Sequence, residues 1–378
     1  MQTNMPAAIF KSLNLEDFQQ ICIKKGVSFA SYRLPNTSDI YTIVQTKDNS
    51  EPAITIDNHS KGFVFAPFND SKKHKTIIIR ADHCFVNSEI PDELHNWIEN
   101  ITESTVQKQE RNVSTTKDAY EKNVENAVSA IKRKEFEKVV ISKIHCMDIP
   151  DGFSPTILFG KLTAKYSHAF VYILHTPATG LWMGASPEPL LEMDSINYKT
   201  ISLAGTQLAL SVDIDSYNWS EKEIDEQKIV TNFIENTLLK AGITDLIKSP
   251  TANYRAANLI HLKTEFTFPV SQQKTLTELI DVLHPTPSVG GLPKKLACSF
   301  ILNTELHDRE YYTGYLGVMN CNTQTHLYVN LRCMKVTSEQ IILFSGAGIT
   351  AGSDPLKEWF ETENKLMTLK QVIFDENI

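Results

Sequence analysis

Short apolar runs with a two-residue period recur along the chain, interleaved in no regular order with long stretches of helical period. Residues 40–44, 62–65, 76–80, 169–175, 181–184 and 328–336 read as strands, and so does the β-branched run Lys138-Val-Val-Ile-Ser-Lys143. On that strand Lys138, Val140 and Ser142 share one face. Helical stripes appear at Val124, Ala127, Val128 and Ile131, with a capping-box-like start at Thr115 and Asp118. Others run over 220–240, with Val230, Phe233, Ile234 and Leu238 inward, and over 355–372, where Asp354 stands as N-cap and Pro355 in the first turn. A Rossmann unit or a βα barrel needs strict strand–helix alternation, which is missing here. The expected class is therefore a large α+β domain. The polar tract 102–116 is the natural linker.

The 378 residues carry 37 Lys plus Arg against 45 Asp plus Glu, a formal net charge of -8. That balance argues against a nucleic-acid binder, which shows a basic face. It does not exclude a small anionic substrate, because one pocket arginine outweighs a distant acidic surface. No apolar run reaches the roughly 18 residues of a membrane span. The first residues, MQTNMPAAIFKSLNLED, lack the basic flank and apolar stretch of a signal peptide. Six scattered cysteines with no CxxC read as reduced thiols. A cytoplasmic protein without membrane partners is the expectation.

Candidate chemistry begins with carboxylates. Glu223 and Glu226 share a helical face with Val230, and Glu358 and Glu361 share one with Lys365. Spacing alone fits two solvated faces; it also fits two carboxylate pairs around a hard cation such as Mg²⁺. The segment Gly346-Ala-Gly348-Ile-Thr-Ala-Gly352 reads as a glycine-rich turn opening onto a helix, either an anion cradle or a structural bend. Arg332, in the apolar strand 328–336, needs a partner: a substrate carboxylate or a structural acid. Glu188 sits in a proline-bracketed turn, and His284 in His284-Pro-Thr-Pro287 is a turn residue or a pocket wall.

Together these segments are more specific than any one alone. Lys138-Val-Val-Ile-Ser, Gly184-Ala-Ser-Pro-Glu188, Leu203-Ala-Gly-Thr206, His284-Pro-Thr-Pro287, Arg309-Glu-Tyr-Tyr-Thr-Gly314, Leu331-Arg-Cys333, Gly346-Ala-Gly-Ile349 and Trp359-Phe-Glu-Thr-Glu-Asn-Lys365 follow in order. The series resembles the chorismate-utilising enzymes, the anthranilate-synthase-component-I-like family that includes isochorismate and salicylate synthases. The resemblance implies one α+β unit of two β-sheets in a sandwich with helices outside. Residues 1–110 would form the variable part of that fold and 115–378 the chorismate-binding catalytic region.

The resemblance also assigns tasks. Lys138 would be the base activating water for attack at C2 of chorismate, and Glu188 the acid protonating the departing C4 hydroxyl. Burial favours the uncharged form that each task needs. Glu223, Glu226, Glu358 and Glu361 would hold Mg²⁺, with Glu226 and Glu361 as direct ligands. Arg332 and Tyr312, helped by backbone N–H groups of Gly346–Gly348, would take the enolpyruvyl carboxylate. Gly205, Lys365 and His284 would complete the pocket. Ammonia-using relatives carry glutamine at the position of Lys138, and aminodeoxychorismate synthases a lysine at that of Ala204. Both residues here point to water, so no amidotransferase subunit is required. Salicylate synthase is the rival reading, an inactive chorismate-binding scaffold the alternative from another class. The product would feed menaquinone, siderophore or salicylate synthesis, with Val-Gly-Gly-Leu-Pro293 leaning toward menaquinone.

Overall fold

The computed structural model describes residues 13–47, 60–102, 111–208, 217–256, 259–270, 274–321 and 324–375. Its strands in chain order are β1 (Phe29–Arg33), β2 (Ile40–Val44), β3 (Gly62–Ala66), β4 (Ile77–Arg80), β5 (His83–Val86), β6 (Lys138–Asp148), β7 (Phe170–Thr176), β8 (Gly180–Ser186) and β9 (Pro189–Met193). They continue with β10 (Asn197–Leu208), β11 (Ile247–Lys248), β12 (Ala252–Ala256), β13 (Leu259–Pro269), β14 (Gly291–Leu292), β15 (Tyr315–Cys321), β16 (Gln324–Val329), β17 (Cys333–Val336) and β18 (Gln340–Ile349). The helices are α1 (Leu15–Lys24), α2 (Asp92–Glu99), α3 (Lys117–Lys132), α4 (Pro155–Lys165), α5 (Glu221–Lys240), α6 (Leu276–Leu283), α7 (Lys294–Thr304) and α8 (Pro355–Ile373).

Two antiparallel sheets result. One runs β14-β6-β18-β17-β8-β7-β1-β2-β5, the other β11-β13-β10-β9-β16-β15-β3-β4 with β12 beside β13. Their inner faces share one aromatic-rich cluster: Tyr32, Phe170, Tyr172, Trp182 and Phe344 from the first meet Phe63, Phe65 and Tyr328 from the second. Strand alternation explains the division. On β7, Phe170, Tyr172 and Leu174 point between the sheets, whereas Val171 and Ile173 point outward to Leu158 and Leu162 of α4. Phe170 stacks on Tyr328 at 4.3 Å, one of the ring pairs that join the sheets and add about 1 kcal/mol each beyond burial. The α+β sandwich with helices outside is as the sequence resemblance implied.

The chain changes sheet at two corners that matter for the site. Between β8 and β9 it passes through Pro187 and Glu188, and between β16 and β17 through Asn330, Leu331 and Arg332. The corners are tied together: Val329 N donates to Glu188 O at 2.9 Å and Ala185 N to Arg332 O at 3.0 Å. The single strand expected over 328–336 is thus corrected to the end of one strand, a corner, and the start of another in the opposite sheet. Arg332 adopts a φ of 48°, a left-handed conformation that costs a non-glycine residue about 1 kcal/mol or more.

Other expectations shift slightly. Helix α3 is capped by Thr116, one residue later than Thr115, through a 3.2 Å bond from Ala119 N. Thr115 instead bonds β6, with Thr115 N donating to Ile144 O and Ile144 N to Thr115 Oγ1. Residues 111–116 of the expected linker are therefore fastened to the sheet; residues 103–110 lie outside the described residues, as does the N-terminal stretch through residue 12. Gly346 and Gly348 lie within β18, paired to Ser142 and Val140 of β6, so the first half of the expected glycine-rich turn is corrected to a strand, while its second half turns through Ala351 and Gly352 into α8.

Candidate active site

The two corners open onto a cavity of about 190 Å³ whose walls include Glu188, Gly205, Tyr312, Arg332, Gly346 and Lys365. Lys138, at the start of β6, is 1% exposed, and its Nζ donates to Glu226 Oε1 of α5 at 2.7 Å. Glu226 and Gly348 both line the cavity. A Cβ on Gly348 would lie 3.0 Å from Glu226 Oε1 and 3.0 Å from Lys138 Cε, so a side chain there would push into the ion pair. Gly346 is equally constrained, with Ile141 O and the Tyr312 hydroxyl each 3.1 Å from a would-be Cβ. These glycines serve close approach across a strand rather than a bend.

Helix α8 supplies the opposite wall. Lys365 Nζ donates to Gly346 O at 2.9 Å and to Glu361 Oε1 at 2.7 Å. Tyr312 is buried against Phe344, rings 5.4 Å apart, and lines the cavity beside Thr313. Arg332 Nη1 is buried with no hydrogen-bond partner among the described residues, the condition of a donor waiting for an anion. Burial lowers its pKa to about 10.

Glu188, 6% exposed, is pushed up to about 7 by burial, against the pull of Lys138 and Lys365. That carboxyl is therefore about half protonated at neutral pH, far more than an ordinary glutamate, and can serve as a proton donor. His261 of β13 also lines the cavity; its Nδ1 meets Gly205 O at 3.0 Å, and burial lowers its pKa to about 3, keeping the ring neutral.

Three of the four singled-out glutamates line this cavity, Glu223, Glu226 and Glu361, whereas Glu358 is buried and stands outside its lining. Each lining carboxylate already has protein partners. Glu223 closes a capping box on Ser220, accepting from Ser220 N at 2.8 Å, and also accepts from Gln207. Glu226 and Glu361 hold lysines. Among the described residues no three His, Cys, Asp or Glu stand close enough to share a metal ion. The donor chemistry still fits a hard divalent cation, because it is all carboxylate oxygen. Glu226 and Glu361 would exchange their lysines for the ion.

His284 stands outside the lining. Its ring packs edge-on against Tyr315 at 5.1 Å, and burial lowers its pKa to about 3. Sequence reasoning missed His261, Gln207 and Ser288, all in the wall. His261 and Gln207 sit on neighbouring paired strands, β13 and β10, and only their alternate-face positions hinted at it. No helix among the described residues is long and apolar enough to cross a membrane.

A two-sheet α+β sandwich whose one cavity is lined by a buried acid, a lysine, three further glutamates and an arginine with an unpartnered Nη1 among the described residues defines a site for a small polyanion. The model of the family described as "Chorismate binding enzyme" matches residues 53–374, and the chain belongs to that family. Isochorismate synthase EntC of Escherichia coli (strain K12) is 31% identical over 271 residues, 70% of this chain and 69% of that protein. Isochorismate synthase MenF of Bacillus subtilis (strain 168) is 27% identical over 66% of this chain and 54% of its own length. The fold matches the solved menaquinone-specific isochorismate synthase MenF of Escherichia coli with a TM-score of 0.77 at 18% identity, over 94% of this chain and 91% of that one.

Proposed function

We propose that this protein is an isochorismate synthase, converting chorismate to isochorismate by adding water at C2 and expelling the C4 hydroxyl. The observation that carries the reading is a buried lysine, Lys138, near enough to the buried acid Glu188 to pull on its charge. Glu188 lines the cavity and is about half protonated at pH 7, and the buried Lys138, itself outside the lining, is bonded to the wall residue Glu226. Lys138 would take a proton from the attacking water, and Glu188 would give one to the departing hydroxyl. The ring double bonds shift between these events, so one water enters, one leaves, and the mass is unchanged.

Arg332 and Tyr312, with Gly346 and Gly348 N–H groups, would receive the enolpyruvyl carboxylate; Arg332 Nη1 has the free donor capacity for it. Gly205 and Lys365 would hold the substrate from the remaining walls. Glu226 and Glu361, with Glu223 and Glu358 behind them through water, would hold Mg²⁺. That ion, when bound, supplies positive charge for the ring carboxylate. Because Lys138 makes water the nucleophile, no ammonia-delivering subunit is needed. Menaquinone synthesis is the favoured destination, on the Val-Gly-Gly-Leu-Pro293 sequence.

Incubation of the protein with chorismate and Mg²⁺, with products resolved by chromatography and mass detection, tests the proposal. Isochorismate without salicylate or pyruvate supports it. Salicylate with stoichiometric pyruvate replaces it with the salicylate synthase reading, and binding without conversion with that of an inactive scaffold.

A further inference from the structure

Arg309 opens the Arg309-Glu-Tyr-Tyr-Thr-Gly314 motif but has no task in the chemistry above. Its side chain is 3% exposed and meets that of Glu305, 2% exposed, in a two-point ion pair: Nη2 to Oε1 at 2.6 Å and Nε to Oε2 at 2.8 Å. Two fully desolvated charges are costly, and apolar replacements of such pairs are often neutral or stabilising. The rest of the guanidinium suggests what offsets that cost. Nη2 donates to Val140 O at 2.7 Å, and Nη1 to Val289 O at 2.9 Å and Thr313 Oγ1 at 3.2 Å. All three recipients line the catalytic cavity, whereas Arg309 does not.

The segments so joined are distant in sequence. Val140 lies two residues from Lys138 on the same strand face. Val289 follows Ser288, a wall residue, and Thr313 follows Tyr312. Glu305 grips β6 a second time, accepting from Ser142 N at 2.7 Å and from Ser142 Oγ at 2.9 Å. The same hydroxyl meets His307 Nε2 at 2.9 Å. Only a planar fork of several fixed donors can serve a carboxylate and two diverging carbonyls at once; an ammonium cannot.

We propose that Arg309, held by Glu305, is a positioning residue that sets the spacing between the Lys138 strand, the Ser288–Val289 wall and the Tyr312–Thr313 wall without touching substrate. This rests on the isochorismate synthase reading. A displacement of about 1 Å in such a frame costs on the order of a hundredfold in rate, because reacting groups lose alignment, while the charged contacts of Arg332 and Lys365, which Arg309 does not hold, keep most of the affinity.

The test compares wild type, Arg309→Lys and the double variant Glu305→Gln/Arg309→Gln, which leaves neither charge bare. Turnover of chorismate with Mg²⁺ is measured per chorismate-binding site, counted by equilibrium binding, so that a partly folded sample does not mislead. Both variants should lose at least about tenfold in kcat, with KM within about threefold of wild type. A kcat per site within threefold of wild type in both variants overturns the proposal. So does a loss of total activity explained wholly by fewer binding sites, which would make the pair merely structural. Absence of turnover by wild type itself would instead overturn the isochorismate synthase reading.

Discussion

Replacing Glu188 with glutamine tests the burial argument independently of any substrate. Its carboxyl is displaced from 4.5 to about 7 by burial. Because the folded value is the higher, the fold favours the protonated form. The associated stability is fully present below the unfolded pKa and is lost as pH rises through the folded one. At ~1.4 kcal/mol per pKa unit the full displacement is worth about 3 kcal/mol, and about 2.5 kcal/mol falls between roughly pH 5 and pH 9. Glutamine cannot ionise and escapes that loss. Urea unfolding of both proteins at those two pH values, followed by tryptophan fluorescence, gives the comparison. The stability of Glu188→Gln relative to wild type should rise by about 2 to 3 kcal/mol from the lower to the higher pH, all other titrating groups cancelling. A difference constant within about 0.5 kcal/mol across that range would refute the raised pKa and with it the assignment of Glu188 as a neutral acid.

Lys138→Ala should abolish water addition yet leave chorismate affinity within a few-fold, read by turnover and equilibrium binding; added ammonium should then yield an amino product. Glu361→Gln should weaken Mg²⁺ binding by about tenfold or more in calorimetric titration, since it removes one charged ligand; an unchanged titration reassigns that face of α8 to structure. Gly348→Ala should cut kcat by about tenfold or more while the melting temperature moves little, because its Cβ would meet Glu226 and Lys138 at 3.0 Å. Near-normal turnover in that variant would show that the ion pair can shift without cost.

Much of the sandwich was legible because its strands and helices announce themselves by period. Helix α8, from Asp354 onward, carried cap, proline and stripe in one stretch, and the observed element follows them. The corner at Asn330–Arg332 was not legible, since it turns without glycine or proline and relies on a left-handed arginine that an apolar neighbourhood disguises. Gly346 and Gly348 misled in the opposite sense: glycine reads as a bend, yet here it clears space across β18 for Tyr312, Glu226 and Lys138. The capping box at Ser220 and Glu223 was written in the sequence, but the carboxylate spacing was given chemistry instead.

At the site, residue types were legible and partnerships were not. Nothing local to Lys138 announces Glu226, 88 positions away, and nothing near Val140 announces the Arg309 fork. Such contacts exist only once β6, β18 and the corners are assembled. His284 is a motif histidine that packs against Tyr315 and is not part of the cavity lining, while His261, in an unremarked strand, is.

Water as the nucleophile is the central claim, and oxygen-18 water tests it most directly. Isochorismate formed from chorismate in labelled solvent, sampled at early turnover by mass spectrometry and NMR, should carry a solvent oxygen at C2. Isochorismate that retains the original C4 oxygen, with no solvent label at C2, would contradict addition of water by Lys138 and the loss of hydroxyl through Glu188.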